Sequence, residues 1–209
     1  MKQLIIIGAG GMGRTIYDMA IENRGYQSDF VIKGFIDDNT HQLDNFENYP
    51  SIVGTISEYI PQEDDIFICS IGGESRRACM EMIINRGGDF ITMIHPTSRI
   101  GTNVHIGKGS YIGAYTIIAA DAYIDDYNFI QSHVIVGHDC KIGMWNRIDS
   151  YVMLVGATEI GTECMLHTRC MISHNVHIGN GVHVGAGSLV INDVENGTTV
   201  FGSPARRIK

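Results

Sequence analysis

Residues 100–118 read IGTNVHIGKGSYIGAYTII, with an aliphatic residue at 100, 106, 112 and 118 and Gly directly after the first three. The period runs on without insertion through Ile124, Ile130, Val136, Ile142, Ile148, Leu154, Ile160, Leu166, Ile172, Ile178 and Val184 to Val190, so all 16 positions are aliphatic. Gly follows in 8 of the 16 units, a place that reads as the corner of a turning chain. Four residues after each aliphatic position comes a small or short one: Val104, Ser110, Thr116, Ala122, Asn128, Val134, Cys140 and onward to Ser188. An α-helix needs a 3.6-residue period, which this stretch lacks. A six-residue period predicts a parallel β-helix. Three units make one coil of 18 residues, with the aliphatic residue pointing inward and the small one lining the interior.

The chain before this array follows a different rule. The apolar run Gln3 to Ile7 ends in Gly8-Ala9-Gly10-Gly11-Met12-Gly13, and a helical stretch follows from Thr15 to Asn23 with Ile16, Met19 and Ala20 on one face. Phe30 to Ile36 reads as a strand ending in Asp37-Asp38. Ile66 to Ile71 reads as another, leading into Gly72-Gly73, with a helix over Ser75 to Asn85 and a last strand over Asp89 to Ile94. Strands alternating with helices predict a Rossmann-like parallel sheet. The expected division is residues 1–95 as this domain, 96–200 as the β-helix, and 201–209 as a basic tail, Phe201-Gly202-Ser203-Pro204-Ala205-Arg206-Arg207-Ile208-Lys209.

Composition narrows the function classes. Of 209 residues 25 are Gly, about 12%, but Pro is scarce and no Gly-X-Y period exists, which excludes collagen. With 44% hydrophobic and 18% charged residues the chain is not disordered. The net charge of −8 argues against nucleic acid, which requires a basic face. The charge is uneven: residues 1–95 hold 7 Lys/Arg against 14 Asp/Glu, and residues 96–209 hold 8 against 9. The longest apolar run near the start is Leu4 to Ile7, so neither a signal peptide nor a membrane span is expected. Cys69, Cys79, Cys140, Cys164 and Cys170 form no CxxC pair and read as reduced cytosolic thiols. Three of them fall on the small interior position of the repeat.

Gly8, Gly10 and Gly13 fit GxGxxG after a strand and before a helix, where backbone N–H groups can meet phosphates. Asp37 lies where an acid could bind a ribose hydroxyl. Three readings remain open at this point: a tight turn without a ligand, a dinucleotide site, and a mononucleotide or nucleotide-sugar site. The local excess of acid weighs against any anionic ligand. In the β-helix, residues 18 apart stack at about 4.8 Å per coil, so His138, Gly156 and His174 share one outward column. The histidines then lie roughly 10 Å apart, with a position free of side chain between them. Gln131, Asp149, His167 and Gly185 share another column, where Asp149 could hold His167.

The segment Val136-Gly137-His138-Asp139-Cys140-Lys141-Ile142-Gly143, the hexapeptide array, GAGGMG at 8–13 and GSPARRI at 202–208 together resemble a known family. They look like the sugar acyltransferases that include sialic-acid O-acetyltransferases and N-acetyltransferases of UDP-4-amino sugars. The resemblance covers nearly the whole chain. It implies a left-handed β-helix, a homotrimer with active sites between subunits, acetyl-CoA as co-substrate, a sugar nucleotide on the N-terminal domain, and a cytoplasmic role in making cell-surface polysaccharide. It implies no metal. Carried over, His138 matches the general base and Asp139 the acid beside it. Gly156 matches the glycine whose N–H meets the acyl carbonyl, and His174, Gly185, Ala186 and Arg206 fall on the CoA side. Gly10, Gly11, Met12, Asp37, Asp38 and Gly72 fall on the sugar-nucleotide side. Three positions depart from the family pattern: Met12 replaces a His, Arg147 replaces a His nine residues after the base, and His167 stands where Gly is common.

The chemistry is coherent in its own right. An amine or hydroxyl attacking a thioester must lose a proton, and imidazole titrates near neutral pH. The tetrahedral oxyanion then needs a backbone donor. Two other readings stay in play. A non-catalytic trimer that binds a sugar nucleotide is motivated by Met12, Arg147 and His167. A metalloenzyme resembling γ-class carbonic anhydrases has part of a three-His set in His133, His138 and His174, but Thr97 and Gly179 occupy the remaining places.

Overall fold

The structure is a computed structural model that describes residues 1–73 and 75–209. The chain divides into two compact units, Met1–Pro96 and Thr97–Lys209.

In the first unit β1 (Lys2–Ile7), β2 (Phe30–Ile36), β3 (Ile52–Gly54), β4 (Asp65–Cys69) and β5 (Asp89–Phe90) form one parallel sheet in the order β3-β2-β1-β4-β5. The central strand is apolar on both faces, and Leu4, Ile5, Ile6 and Ile7 are fully buried. Each such burial is worth roughly 1.5–3 kcal/mol. The helix α1 (Gly11–Glu22) buries Ile16, Met19 and Ala20, the face its period predicts. It starts earlier than the apolar pattern does, because the Arg14 N–H donates to the Gly10 carbonyl at 3.0 Å and so closes the first turn inside the Gly-rich loop. The second helix, α2 (Ser75–Asn85), lies where expected. Two details differ from the sequence reading. The three-residue β3 carries no apolar alternation to betray it, and the strand expected over Asp89 to Ile94 breaks into Asp89–Phe90 and Met93–Ile94. Strand order reverses between β1 and β4, so Gly8 and Ser70 flank the crevice at the carboxyl ends where open α/β sheets take ligands.

The second unit is the β-helix. Its first face stacks Arg99–Ile100, Ile117–Ile118, Ile135–Val136, Met153–Leu154, Met171–Ile172 and Leu189–Val190. The second stacks His105–Ile106, Tyr123–Ile124, Lys141–Ile142, Glu159–Ile160 and His177–Ile178. The third runs from Tyr111–Ile112 through Phe129–Ile130, Arg147–Ile148, Met165–Leu166 and His183–Val184 to Thr199–Gly202. All pair in parallel with partners one coil away, until Ala205–Arg207 folds back antiparallel on Thr199–Gly202. The aliphatic residue of each pair points inward and is buried from Ile112 to Val190. Ile100 and Ile106 lie more open, since an end coil has a neighbour on one side only. The interior small position is filled as the repeat predicts, and its polar members bond to backbone. Thr116 Oγ1 donates to the Gln131 carbonyl at 2.8 Å, and Asn128 Nδ2 donates to Gly143 O at 2.8 Å while its Oδ1 accepts from Asn146 N at 3.0 Å.

The glycine after the aliphatic residue is not the corner. The left-handed backbone falls two residues later, at 103, 109, 115 and every sixth residue to 187, and 12 of those 15 residues are not Gly. Their φ values near +60° turn the N–H back onto the preceding coil, as in Asp139 N to Ala120 O at 3.2 Å and Tyr127 N to Lys108 O at 2.7 Å. Stacked rings cover several of these strained corners: Tyr127 on Trp145 at 4.3 Å and His133 on Tyr151 at 4.7 Å. The repeated Gly answers a different need. A Cβ on Gly113 would lie 2.6 Å from the Ser132 N, and on Gly137 2.5 Å from the Gly156 N, so the next coil passes too close for any side chain.

This distinction is testable by chemical denaturation. Gly113→Ala is expected to destabilise by about 1–3 kcal/mol through overpacking against backbone. Gly181→Asn, at a left-handed corner with nothing within 4 Å of an added Cβ, is expected to stay within about 0.5 kcal/mol of the native protein.

Candidate active site

His138 stands at the corner where the first face turns into the second. Val136 and Cys140 on either side are fully buried, so the intervening residues are held out on the surface. Asp139 takes the left-handed corner at φ 57° and brings its carboxylate Oδ2 to 2.6 Å from His138 Nδ1. With Nδ1 donating to that carboxylate, Nε2 is left as the basic nitrogen. Strand pairing of Ile135 with Met153 places Gly156 one coil on, and a Cβ there would lie 2.6 Å from His138 Nε2. Glycine is therefore required for the imidazole to occupy its place. The Gly156 N–H makes no hydrogen bond among the described residues, whereas its neighbours do: Val155 N donates to Ile172 O at 3.0 Å and Ala157 N to His138 O at 2.8 Å. A carboxylate-held base, its free nitrogen, and an unengaged N–H donor meet at one exposed point.

The remaining β-helix candidates are more dispersed. His174 is exposed one coil beyond Gly156. Gly185 is small for an internal reason, since a Cβ there would lie 2.3 Å from the Phe201 ring; Ala186 beside it is exposed. Arg206 is exposed on the antiparallel tail strand opposite Phe201.

The expected Asp149–His167 contact exists, at 3.2 Å from Oδ2 to Nδ1, and is part of a larger cluster. Asp149 is buried and also accepts from Arg147 Nε at 2.7 Å and Gln131 Nε2 at 3.1 Å, while Ser150 Oγ donates to Gln131 Oε1 at 3.0 Å. Arg147 is thus tied to a buried carboxylate. Gln131 belongs to the column expected from the repeat, whereas Ser150, the residue after Asp149, joins the cluster unannounced by the sequence. A groove of about 800 Å³ runs along the second face, lined in part by Lys141, Glu159, His177 and Asp193. His138 is not among its lining residues, and its many carboxylates suit an anionic ligand poorly.

In the N-terminal loop the glycines fall into two kinds. Gly8 has φ +92°, and a Cβ on Gly13 would lie 2.0 Å from Gly8 O, so the strand–helix crossing needs both. Ser70 secures the same crossing, its Oγ lying 2.8 Å from Ile7 O and 2.9 Å from Gly8 O. Gly10 and Gly11 are required by nothing among the described residues, for the nearest atoms to an added Cβ are side-chain nitrogens at 4.0 Å and 3.8 Å. The two acids have structural tasks. Asp37 Oδ2 accepts from Ala9 N at 2.8 Å and Oδ1 from Asn39 N at 2.9 Å, while Asp38 Oδ1 accepts from Ser57 N at 3.0 Å. Met12 is half-buried in the first turn of α1, and Gly72 is half-buried in the loop after β4.

The thiols are unsuited to nucleophilic work. Burial pushes Cys69 and Cys164 up to about 11 and Cys170 up to about 12, and it also raises Cys140. Cys79 is half-buried and raised by burial together with Asp38 and Asp37. Among the described residues no group of three or more His, Cys, Asp or Glu is placed to hold a metal ion.

Comparison with known proteins bears on both units. Residues 3–83 match the PglD N-terminal domain, residues 89–167 the GMPPB C-terminal domain, and residues 157–192 the bacterial transferase hexapeptide of six repeats. Over 119 residues the chain is 30% identical to UDP-N-acetylbacillosamine N-acetyltransferase of Bacillus subtilis (strain 168), covering 54% of this chain and 52% of that protein. An uncharacterized protein, L142, of Acanthamoeba polyphaga mimivirus is 29% identical over 123 residues, covering 59% of this chain and 24% of that one. The chain thus spans about a quarter and about half of the length of these two relatives. Among solved structures, the acetyltransferase domain of PglB from Neisseria gonorrhoeae FA1090 superposes with a TM-score of 0.88 at 27% identity, covering 100% of both chains. PerB from Caulobacter crescentus, solved with CoA and GDP-perosamine, gives 0.88 at 23% identity, covering 100% of this chain and 98% of that one, a likeness of fold.

The parallel-sheet domain followed by a hexapeptide β-helix is shared with the acetyltransferase domain of PglB. The chain is similar to sugar acyltransferases in both units, with the PglD N-terminal domain matched over residues 3–83 and the hexapeptide transferase repeats over residues 157–192.

Two measurements check the local geometry. At pH 8 a thiol-specific disulfide reagent is expected to label Cys79 first, with the other four reacting only on unfolding. Gly13→Ala is expected to lower stability by about 1–3 kcal/mol in thermal denaturation, and Gly11→Ala by much less.

Proposed function

We propose that the protein transfers an acetyl group from acetyl-CoA to an amine or hydroxyl of a nucleotide-linked sugar, with His138 as general base. The observation that carries this reading is His138 held through Nδ1 by Asp139 at 2.6 Å, with Nε2 over Gly156. The name of the Bacillus subtilis relative, UDP-N-acetylbacillosamine N-acetyltransferase, favours an amine. As the acceptor attacks the thioester carbonyl, Nε2 takes the proton it loses, and Asp139 stabilises the resulting imidazolium. The Gly156 N–H donates to the developing oxyanion. Collapse breaks the C–S bond, and the departing thiolate receives the proton from His138, giving the acetylated sugar and CoA.

In this reading residues 1–95 bind the sugar nucleotide through Gly10, Gly11 and Gly72, with Met12 beside the sugar. Asp37 and Asp38 lie on the same side of the site and also hold the loop through the Ala9, Asn39 and Ser57 N–H groups. Residues 96–200 carry the chemistry, and Arg206 in the tail 201–209 meets CoA phosphates, with His174, Gly185 and Ala186 along the same co-substrate. The assembly is a homotrimer. The first face supports it, presenting Ile117, Ile135 and Met171 at 41%, 36% and 39% exposure beside the His138 corner, an apolar stripe suited to burial against another copy. No helix among the described residues is long and apolar enough to cross a membrane. A cytoplasmic enzyme of cell-surface polysaccharide synthesis fits the five free thiols and the need for acetyl-CoA.

Thiol release from acetyl-CoA, measured against UDP-4-amino sugars, sialic acids and free amino sugars, tests the reading. His138→Ala is expected to lower kcat/KM by about 10²–10⁴-fold with an unchanged melting temperature. Gly156→Ala is expected to act similarly by displacing the imidazole. Full turnover by His138→Ala would remove the mechanism. Nucleotide-sugar binding without any acetyl-CoA binding would favour a non-catalytic role.

A further inference from the structure

Arg14 runs against its own electrostatic setting. It lies in the first turn of α1, where aligned peptide dipoles leave positive partial charge that disfavours a cation. That turn contains no acidic residue, and its N-cap, Gly10, makes no side-chain capping bond. Residues 1–95 hold 14 Asp/Glu, yet among the described residues Arg14 has no carboxylate partner. The acids at the end of β2 are engaged elsewhere, Asp37 by Ala9 and Asn39 and Asp38 by Ser57. The guanidinium carbon instead lies 3.6 Å from the centroid of the Phe46 ring. A terminal nitrogen is 3.8 Å from where a Gly11 Cβ would stand, so the cation borders the open side of Gly11, while Gln42 Nε2 lies 4.0 Å from the Cβ position of Gly10.

We propose that Arg14, braced by Phe46, binds the diphosphate of the nucleotide-linked sugar and selects it over a free sugar. This rests on the acetyltransferase reading above and names the side chain that recognises its acceptor. An anion at this point answers three features at once: the uncapped helix start, the uncompensated cation, and the open faces of Gly10 and Gly11. A planar guanidinium donates two parallel hydrogen bonds to phosphate oxygens, and the ring behind it limits the orientations it must lose on binding. A neutral or cationic acceptor, such as a free amino sugar, would leave the charge unanswered.

Calorimetric titration of the full chain with UDP, GDP, dTDP and their parent nucleosides tests this, alongside thermal denaturation without ligand. At least one nucleoside diphosphate is expected to bind the native protein. Arg14→Gln, which removes the charge but leaves a polar, uncharged side chain, is expected to weaken that diphosphate by about tenfold or more and to flatten its salt dependence. Affinity for the parent nucleoside and for acetyl-CoA is expected to stay unchanged. Phe46→Leu is expected to give a smaller loss, and Arg14→Lys to restore part of the affinity. The ligand-free melting temperature of Arg14→Gln is expected to hold or rise, because a disfavoured cation has gone. Equal diphosphate binding by native and Arg14→Gln protein overturns the proposal while leaving the acetyltransferase reading intact. A drop in ligand-free stability, with the diphosphate-to-nucleoside affinity ratio unchanged, makes Arg14 a packing residue and overturns it as well. If no nucleoside diphosphate binds the native protein at millimolar concentration, the nucleotide-sugar reading falls with it.

Discussion

The backbone of the β-helix is satisfied in two directions, and the rest of the second unit depends on it. Within strands the N–H groups donate to the next coil, as Gly137 does to Leu154 O at 2.8 Å. At corners they donate to the coil before, as Asp139 does to Ala120 O at 3.2 Å. Reversing direction at every corner demands the left-handed conformation there, whatever residue the sequence supplies. His138 sits between these two bonds, flanked by the fully buried Val136 and Cys140. Its backbone is therefore fixed from both sides, and the imidazole needs only the Asp139 contact to be oriented. A base pre-positioned in this way loses little freedom when the reaction begins.

The N-terminal unit solves a different problem, how to cross a helix closely over the end of a central strand. Gly8, Gly13 and Ser70 make that crossing, and Asp37 ties down the loop between them by accepting from Ala9 N. This changes the electrostatic argument about the site. Two backbone N–H dipoles partly offset the negative charge of Asp37, so the acid excess of residues 1–95 weighs less against an anion at Gly10 and Gly11 than a count of charges suggests. A chain can be acidic overall and still offer a cationic spot, because charge acts over distances of about 10 Å or less at physiological salt.

Much of this was legible beforehand. The uninterrupted six-residue period required the β-helix and its interior, down to Cys140, Cys164 and Cys170 as buried filling. The stacking rule of 18 residues was enough to bring Gly156 to His138 and His167 to Asp149. The corner falls two residues beyond the repeated Gly, because that Gly does not mark turning. Its fixed place in the repeat reflects closeness of the next coil, while the turning residues are mostly Asn, Asp, Tyr, His and Trp, with Ala157, Glu163, Arg169 and three Gly, and hydrogen bonds and ring stacking that a linear pattern does not display offset the strain. Asp37 has the spacing for a ribose contact, but spacing along a chain does not show that its carboxylate also accepts from Ala9 N and Asn39 N.

Sequence by itself thus determined the architecture, the column of His138 and Gly156, and the family resemblance, because a repeating chain converts residue number into height along an axis. Only the tertiary structure decided which glycines the fold consumes and which remain open, that Asp37 and Asp38 accept from backbone N–H groups of their own loops, that Arg147 is bound to a buried Asp149, and that Arg14 has no carboxylate partner among the described residues. Those outcomes turn on which polar groups satisfy one another across non-repeating loops, where neither period nor spacing fixes the partner.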